Sequence, residues 1–302
     1  MKERNINRIM INAKTEIYAI LGDPISHSMS PVIMNSSFQR FRMNKVFLAF
    51  QANLDNFQQI MTATKLIGLQ GYVFTMPVKE AALSFMDELS EEAEIIGAVN
   101  CACNKLGHLI GYNTDSIGFW NAVLEKTNSA SKINQMFLMG AGGFARAAAA
   151  QAALQGVKKI TVANILSEKK FVESFERFIA RLKNRTPDIE IQLIDWTPNQ
   201  WGDYLGTCDL VVNATPNGMK GHGDLHLVFP YQAVNKEAIF FDAVYEPLKT
   251  EFLCSAEQQN FVTVDGISLL VHQGTKSFEY WTGMKVDPAQ MREDILDFLS
   301  SN

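Results

Sequence analysis

Three short polar stretches in the first 115 residues carry side chains suited to binding and turning over a small polar molecule. The first runs Gly22-Asp23-Pro24-Ile25-Ser26-His27-Ser28-Met29-Ser30-Pro31 and offers two hydroxyls, Ser28 and Ser30, beside an expected helix start. Such hydroxyls, with helix-start N–H groups, can hold a carboxylate without any arginine. Plain helix capping, with Pro31 at the first helical position, accounts for Ser30 but not for Ser28. The second stretch, Gly71 to Glu80, contains Thr75 and places Lys79 in the first turn of a helix expected to open at Pro77. A helix N-terminus disfavours a cation, which would ready that amine for proton exchange near neutral pH. A neighbouring carboxylate would act the other way, and a solvated surface lysine is the plainer alternative. The third stretch is Asn113-Thr114-Asp115. Asp115 could pair with Lys79 and bind a substrate hydroxyl, could cap the next helix, or could do both.

A fourth feature lies further along. Gly140, Gly142 and Ala145 fit G-x-G-x-x-A between an expected strand, Gln135–Met139, and an alanine-rich helix stopped by Gly156. In that setting the first glycine permits a tight turn, the second lets a pyrophosphate approach the backbone, and the small third residue packs helix on sheet. The helix start then supplies N–H groups and the positive dipole end. A glycine-rich turn with no ligand is the alternative. The following strand, Lys159–Ala163, should end at the adenosine ribose, where an acid favours NAD and an arginine NADP. It runs on through Asn164-Ile165-Leu166-Ser167-Glu168-Lys169-Lys170 with no arginine; Glu168 would oppose a 2′-phosphate and Lys169 and Lys170 could help one, and NAD is the expected cofactor.

These residues need elements to position them. Apolar runs at Glu16–Leu21, Val46–Phe50, Gly71–Thr75, Ile189–Leu193, Leu210–Asn213, Ile239–Asp242 and Phe261–Val264 read as strands. Asn100–Asn104 and Leu109–Tyr112 read as a hairpin about Leu106-Gly107-His108. Helices are expected over Leu54–Leu66, from Ser90-Glu91-Glu92, over Asp115–Leu124, and in the tail at Gln273–Thr282 and Asp287–Leu299. Strands alternating with helices make an α/β fold. A length of 302 residues suits two domains, with the tail helices returning to the first.

Bulk properties narrow the function. A net charge of −5 argues against nucleic acid or an anionic membrane as partner. No run of 18 apolar residues suggests a membrane span, and the basic opening MKERNINRIMINAK lacks the apolar core of a signal peptide. Cys101 and Cys103 alternate on one strand with no second Cys or His pair at zinc spacing, so no metal site is expected, and a reducing cytoplasmic location fits.

The motifs also come in a recognisable order. HSMSP, Thr75-x-Pro-x-Lys79, Gly97-Ala-Val-Asn100, Gly111-Tyr-Asn-Thr-Asp115 and Gly140-Ala-Gly-Gly-Phe-Ala-Arg146 are followed by Asn213-Ala-Thr-Pro-Asn-Gly-Met219, Tyr245-Glu-Pro-Leu-Lys-Thr250, Asp265-Gly266 and His272-Gln-Gly274. Over about residues 16 to 283 the chain resembles the shikimate dehydrogenase family, closest to its quinate/shikimate branch. The resemblance implies an N-terminal α/β substrate-binding and catalytic domain, 1–115 with 268–302, and a Rossmann-type dinucleotide-binding domain, 116–267. It implies a catalytic pair, Lys79 and Asp115, with Lys79 as acid/base. Ser28 and Ser30 would hold a substrate carboxylate. Thr75, Asn100, Asp115 and Gln273 would bind ring hydroxyls, with Tyr245 nearby. Gly140, Ala141, Gly142, Gly143, Phe144 and Ala145 would hold the pyrophosphate, Asn164 would lie by the ribose, and Ala214, Ala243 and Gly266 would line the nicotinamide. Shikimate, 3-dehydroshikimate and quinate would be the small-molecule partners, and a homodimer is admitted rather than implied.

The chain departs from the family pattern in several places. Met34, Val73, Ser116 and Ser268 replace commoner residues, and Ile165-Leu166 stands where NADP-dependent members carry Arg-Thr. That last change supports NAD and leaves the direction of the pathway open. Two rival readings remain: a paralogue oxidising another small hydroxy acid, and a catalytically silent ligand-binding module. The presence of both Lys79 and Asp115 argues against silence.

Overall fold

The computed structural model describes residues 11–127 and 133–301, and the chain divides there into two compact units. The first ten residues of the basic opening lie outside the described residues. In chain order the strands are β1 (Glu16–Gly22), β2 (Lys45–Gln51), β3 (Gly71–Phe74), β4 (Glu88–Leu89), β5 (Cys101–Lys105), β6 (His108–Tyr112), β7 (Gln135–Met139), β8 (Lys159–Asn164), β9 (Glu190–Asp195), β10 (Leu210–Asn213), β11 (Ile239–Asp242) and β12 (Val262–Val264). The helices are α1 (Ser30–Arg40), α2 (Phe57–Leu66), α3 (Glu91–Ile96), α4 (Thr114–Lys126), α5 (Gly143–Leu154), α6 (Lys169–Lys183), α7 (Gly202–Leu205), α8 (Glu251–Gln258), α9 (Gly266–Thr282) and α10 (Pro288–Ser301).

The first unit takes residues 11–90, 98–114 and 274–301. Its six-stranded sheet has the order β2-β1-β3-β5-β6-β4. β1 runs parallel to β2 and β3, and β5 runs antiparallel both to β3 and to its hairpin partner β6. The hairpin turns at Leu106 and Gly107, with φ of 55° and 92°, the left-handed pair that a two-residue turn matched to strand twist requires. The tail does return here: α10 packs on α1, and Arg40 pairs with Asp294 at 2.9 Å. Trp281 on α9 donates from Nε1 to the Ala102 carbonyl at 3.0 Å and packs on Tyr18 with ring centroids 5.2 Å apart. Gly71 makes room for it, since a Cβ there would lie 2.6 Å from Trp281 Nε1.

The second unit takes residues 91–97 and 115–273. Its sheet, β12-β11-β10-β7-β8-β9, is parallel throughout. Numbered from β7, that is the doubly wound order 3-2-1-4-5-6, and ligands of such sheets bind at the carboxyl ends where the order reverses. Here the reversal lies between β7 and β10. Trp201, Phe240 and Phe252, all fully buried, anchor the core on one face. The short helix α3 is fastened to this unit by Arg181 of α6, which donates to the carbonyls of Ile95 and Ile96 at 3.0 and 3.3 Å. Arg185 adds an ion pair to Glu91 at 3.0 Å.

Three local expectations change. Pro77 does not open an α-helix: residues 77–80 form turns, and a single 3-10 stretch, Ala81–Phe85, follows. The dipole argument for Lys79 therefore has no helix beneath it. Ser30 is the first residue of α1 rather than its cap, and its N–H donates to the Ser28 hydroxyl at 3.3 Å. Asp115 is likewise inside α4, one residue past its start, rather than its cap.

Candidate functional site

In the first unit, strand register gathers the polar stretches at one sheet end. β1 and β3 run in parallel and end at Gly22 and Phe74, so the segment after β3 emerges beside the segment after β1. Gly22 lies against Thr75 so closely that a Cβ there would come within 2.2 Å of its methyl group. β5 is antiparallel to β3 with Val73 opposite Cys101, which sets Asn100 at the same end. β6 is paired with Cys101 opposite Tyr112, which brings Asn113 and Thr114 alongside.

Hydrogen bonds fix this arrangement. The Lys79 carbonyl accepts from the Val99 N–H at 2.9 Å, and the Phe74 N–H donates to the Asn100 carbonyl at 2.8 Å. The Asn100 side chain, 2 % exposed, accepts from the Thr114 N–H at 2.6 Å and donates to its hydroxyl at 3.0 Å. Asn113 donates to the Ala98 carbonyl at 3.0 Å. Thr75 and Lys79, from the segment after β3, and Asn100, just before β5, thus come to one sheet end, with Ser28 and Ser30 in the segment that follows β1.

Asp115, Tyr245 and Gln273 belong to the second unit. Asp115 is buried in the first turn of α4. Gln273, on α9, donates to the Leu270 carbonyl at 3.0 Å. Gly118 of α4 makes the approach to Gln273 possible, since a Cβ there would lie 2.7 Å from its backbone nitrogen. Burial pushes the Tyr245 phenol up, with the Glu246 carboxylate adding to it.

The glycine-rich turn sits at the carboxyl end of β7. Gly140 has a φ of +102° and donates its N–H to the Ala163 carbonyl at 2.8 Å. A side chain there would be strained by that φ and would also strike Thr215 at 2.9 Å. Gly142 caps α5, and a Cβ on it would meet nothing within 4 Å. Open space above a helix start, where the first N–H groups have no carbonyl within the helix to reach, is the cradle a pyrophosphate needs. The residues present therefore fit a dinucleotide. Phe144 stacks on Phe241 at 6.0 Å, so this position offers a ligand its backbone. Ala145 is fully buried against the sheet, and Asn164 closes β8, its side chain donating to the Ile165 carbonyl at 3.0 Å.

Ala214, Ala243 and Gly266 follow β10, β11 and β12 at the same sheet end. A buried network, not foreseen in the sequence, ties their loops together. Asp242, fully buried, accepts from Asn213 Nδ2 at 2.9 Å, from the Thr250 hydroxyl at 2.6 Å and from the Val244 N–H at 3.0 Å. Asn213 also donates to the Asn217 carbonyl and accepts from the Thr215 N–H, both at 3.0 Å. The only sign of this in the sequence is an acid ending an otherwise apolar strand.

Burial pushes the Asp242 carboxyl up to about 6, against the opposing pull of its three donors. Because this exceeds the ordinary 3.8, folding favours the protonated form. The stability it contributes is full below the ordinary value and lost as pH rises through about 6. Urea unfolding at about pH 5 and about pH 8 should show wild type losing roughly 1.4 kcal/mol relative to Asp242→Asn. A gap that stays constant between the two pH values would refute this.

Comparison with known proteins agrees with this fold. Residues 20–102 match the model of the shikimate dehydrogenase substrate binding domain, and 266–296 that of the shikimate 5'-dehydrogenase C-terminal domain. A shikimate dehydrogenase (NADP(+)) from Desulforamulus reducens is 36% identical over 286 residues, covering 95% of this chain and 96% of its own. Shikimate 5-dehydrogenase from Listeria monocytogenes, solved with shikimate and NAD, superposes with a TM-score of 0.86 at 32% identity, covering 94% of this chain and 98% of its own. Quinate dehydrogenase from Corynebacterium glutamicum, solved with NAD, gives 0.83 at 27% identity, with 94% and 99% coverage. A likeness that runs nearly end to end in both chains places the protein: it belongs to the shikimate dehydrogenase family.

Proposed function

We propose that this chain interconverts shikimate and 3-dehydroshikimate, or quinate and 3-dehydroquinate, by hydride transfer with NAD. The observation that carries the reading is the Gly140–Ala145 turn at the switch point of the parallel sheet, with open space over Gly142. A bound nicotinamide supplies the hydride acceptor or donor. The protein supplies the rest. The Lys79 amine takes the proton from the ring hydroxyl as its carbon is oxidised, and returns it in the reverse direction. Asp115 accepts a hydrogen bond from a ring hydroxyl. Ser28 and Ser30 hold the substrate carboxylate, and Thr75, Asn100, Gln273 and Tyr245 read the ring. Ala214, Ala243 and Gly266 bound the nicotinamide, and Asn164 meets the ribose.

The Desulforamulus relative carries NADP(+) in its name, whereas the Listeria and Corynebacterium structures hold NAD. The choice of NAD rests on this chain's own strand end, Asn164-Ile165-Leu166, which offers a 2′-phosphate no arginine. The working site of the protein is the cytoplasm.

The test is kcat/KM for shikimate and for quinate, each with NAD+ and NADP+. Turnover with either acid supports the reaction, and no turnover in any pairing by folded protein would overturn it. Gly142→Ala checks the cradle separately. Its methyl group meets no protein atom within 4 Å, so thermal stability should hold while dinucleotide affinity falls by about tenfold or more. Calorimetric titration showing unchanged affinity would place the pyrophosphate elsewhere.

A further inference from the structure

We propose that Asp195 is a specificity-determining residue that selects an unphosphorylated adenosine ribose, a proposal that rests on the dinucleotide-binding reading above. Asp195 ends β9 directly opposite Asn164, which ends β8. Neighbouring strands lie about 4.8 Å apart, so the two side chains leave the sheet side by side. Asn164 occupies the strand end where a bound ribose is expected, and Asp195 is therefore one strand away from it.

The carboxylate is tied to the ribose-side loop. Asp195 Oδ1 accepts from the Leu166 N–H at 3.1 Å and from the Trp196 N–H at 2.9 Å. Among the described residues nothing donates to Oδ2, which keeps its acceptor capacity, and Asp195 is exposed. The loop it braces is the Ile165-Leu166 segment itself. A negative charge is thus held beside that segment, in a position to accept from a ribose hydroxyl and to repel a phosphate there.

A second observation agrees. Leu166 and Asp195 both line a cavity of about 710 Å³, whose other walls include Ile194, Trp201, Asp203 and Tyr204. Two acids and no lysine or arginine line it. A phosphate monoester carries close to two negative charges at neutral pH, and the lining of this cavity offers it no lysine or arginine.

The experiment measures Kd for NAD+ and NADP+ by calorimetry on the full chain, for wild type, Asp195→Asn and Asp195→Ser, at low and high salt. Asparagine keeps an acceptor for the Leu166 N–H and removes the charge. In Asp195→Asn the ratio Kd(NADP+)/Kd(NAD+) should fall by about tenfold, and less at high salt. Asp195→Ser should lower the ratio in the same direction, showing that charge rather than loop geometry is responsible. A ratio unchanged in both variants, or a wild type that already prefers NADP+, overturns the proposal while leaving dinucleotide binding intact. A wild type that binds neither dinucleotide overturns the dinucleotide reading itself, and this proposal with it.

Discussion

Lys79→Ala should lower kcat by at least about a hundredfold, the scale of losing a positioned acid/base. The expectation rests on what holds the lysine. Its carbonyl is bonded to Val99, Val99 leads directly to Asn100, and the Asn100 side chain is locked to Thr114. The residue is thus pinned at its backbone, in the segment that follows β3. Alanine keeps every one of those backbone bonds, so the variant should fold and bind dinucleotide as wild type does. The loss should appear in kcat and persist at saturating substrate, because what is removed acts on the transition state. Initial rates over a range of shikimate or quinate, with dinucleotide affinity measured alongside, decide the matter. Turnover within a few-fold of wild type would remove Lys79 from its assigned role.

Gly266→Ala should be the most damaging of the single-atom additions to the second unit. A Cβ at this position would lie 2.4 Å from the Val244 carbonyl oxygen, 2.5 Å from its carbon and 2.7 Å from the Ala243 oxygen. All three are backbone atoms, so no rotamer change relieves the clash. Either the start of α9 or the loop after β11 must move, and that loop is held by the Asp242 network. Overpacking of this kind costs roughly 3 kcal/mol, and more where the neighbours cannot yield. Urea unfolding should show that loss, and dinucleotide affinity should fall with it because Ala243 is displaced. A stability within about 0.5 kcal/mol of wild type, the range of ordinary surface changes, would show that the contact yields.

Strands were the most legible part of the fold. Leu210–Asn213 and Ile239–Asp242 match β10 and β11 at both ends, because each is a short buried apolar run closed by a polar residue. The Gly140–Ala145 turn was legible for a different reason: its residue types are demanded by backbone geometry, which the φ of Gly140 displays. The expectation at Pro77 failed because a proline compatible with a first helical turn is equally compatible with a plain turn. The tail helix expected at Gln273 begins at Gly266, where Asp265 accepts the Ser268 N–H at 2.9 Å as a cap. That capping signal was in the sequence but was read as part of the Asp265-Gly266 motif and not as a helix start.

Other features depend on partners far away in the chain. Nothing near Glu91 announces that α3 joins residues 115–273, because the decisive donor, Arg181, lies 85 and 86 positions from the carbonyls it binds. Asp195 was missed because the strand was expected to stop at Leu193, two residues short of the acid. The Asp242 network links residues 29 apart on adjacent strands, a pairing that only the sheet order reveals.

The discontinuity of the first unit bears on the protein's synthesis. α1 is covered by α10, and the face of β3 and β5 receives Trp281, so both wait for the last thirty or so residues of the chain. The intervening residues 115–273, with the short segment 91–97 made earlier, belong to the other unit. At ribosomal speeds of 5–20 residues per second, β1 to β6 therefore stand for roughly 8 to 35 s before Trp281 reaches Tyr18 and Phe278 reaches Phe38. Demand for chaperones during translation is thus set by the order in which the segments are made, whatever the stability of the finished enzyme.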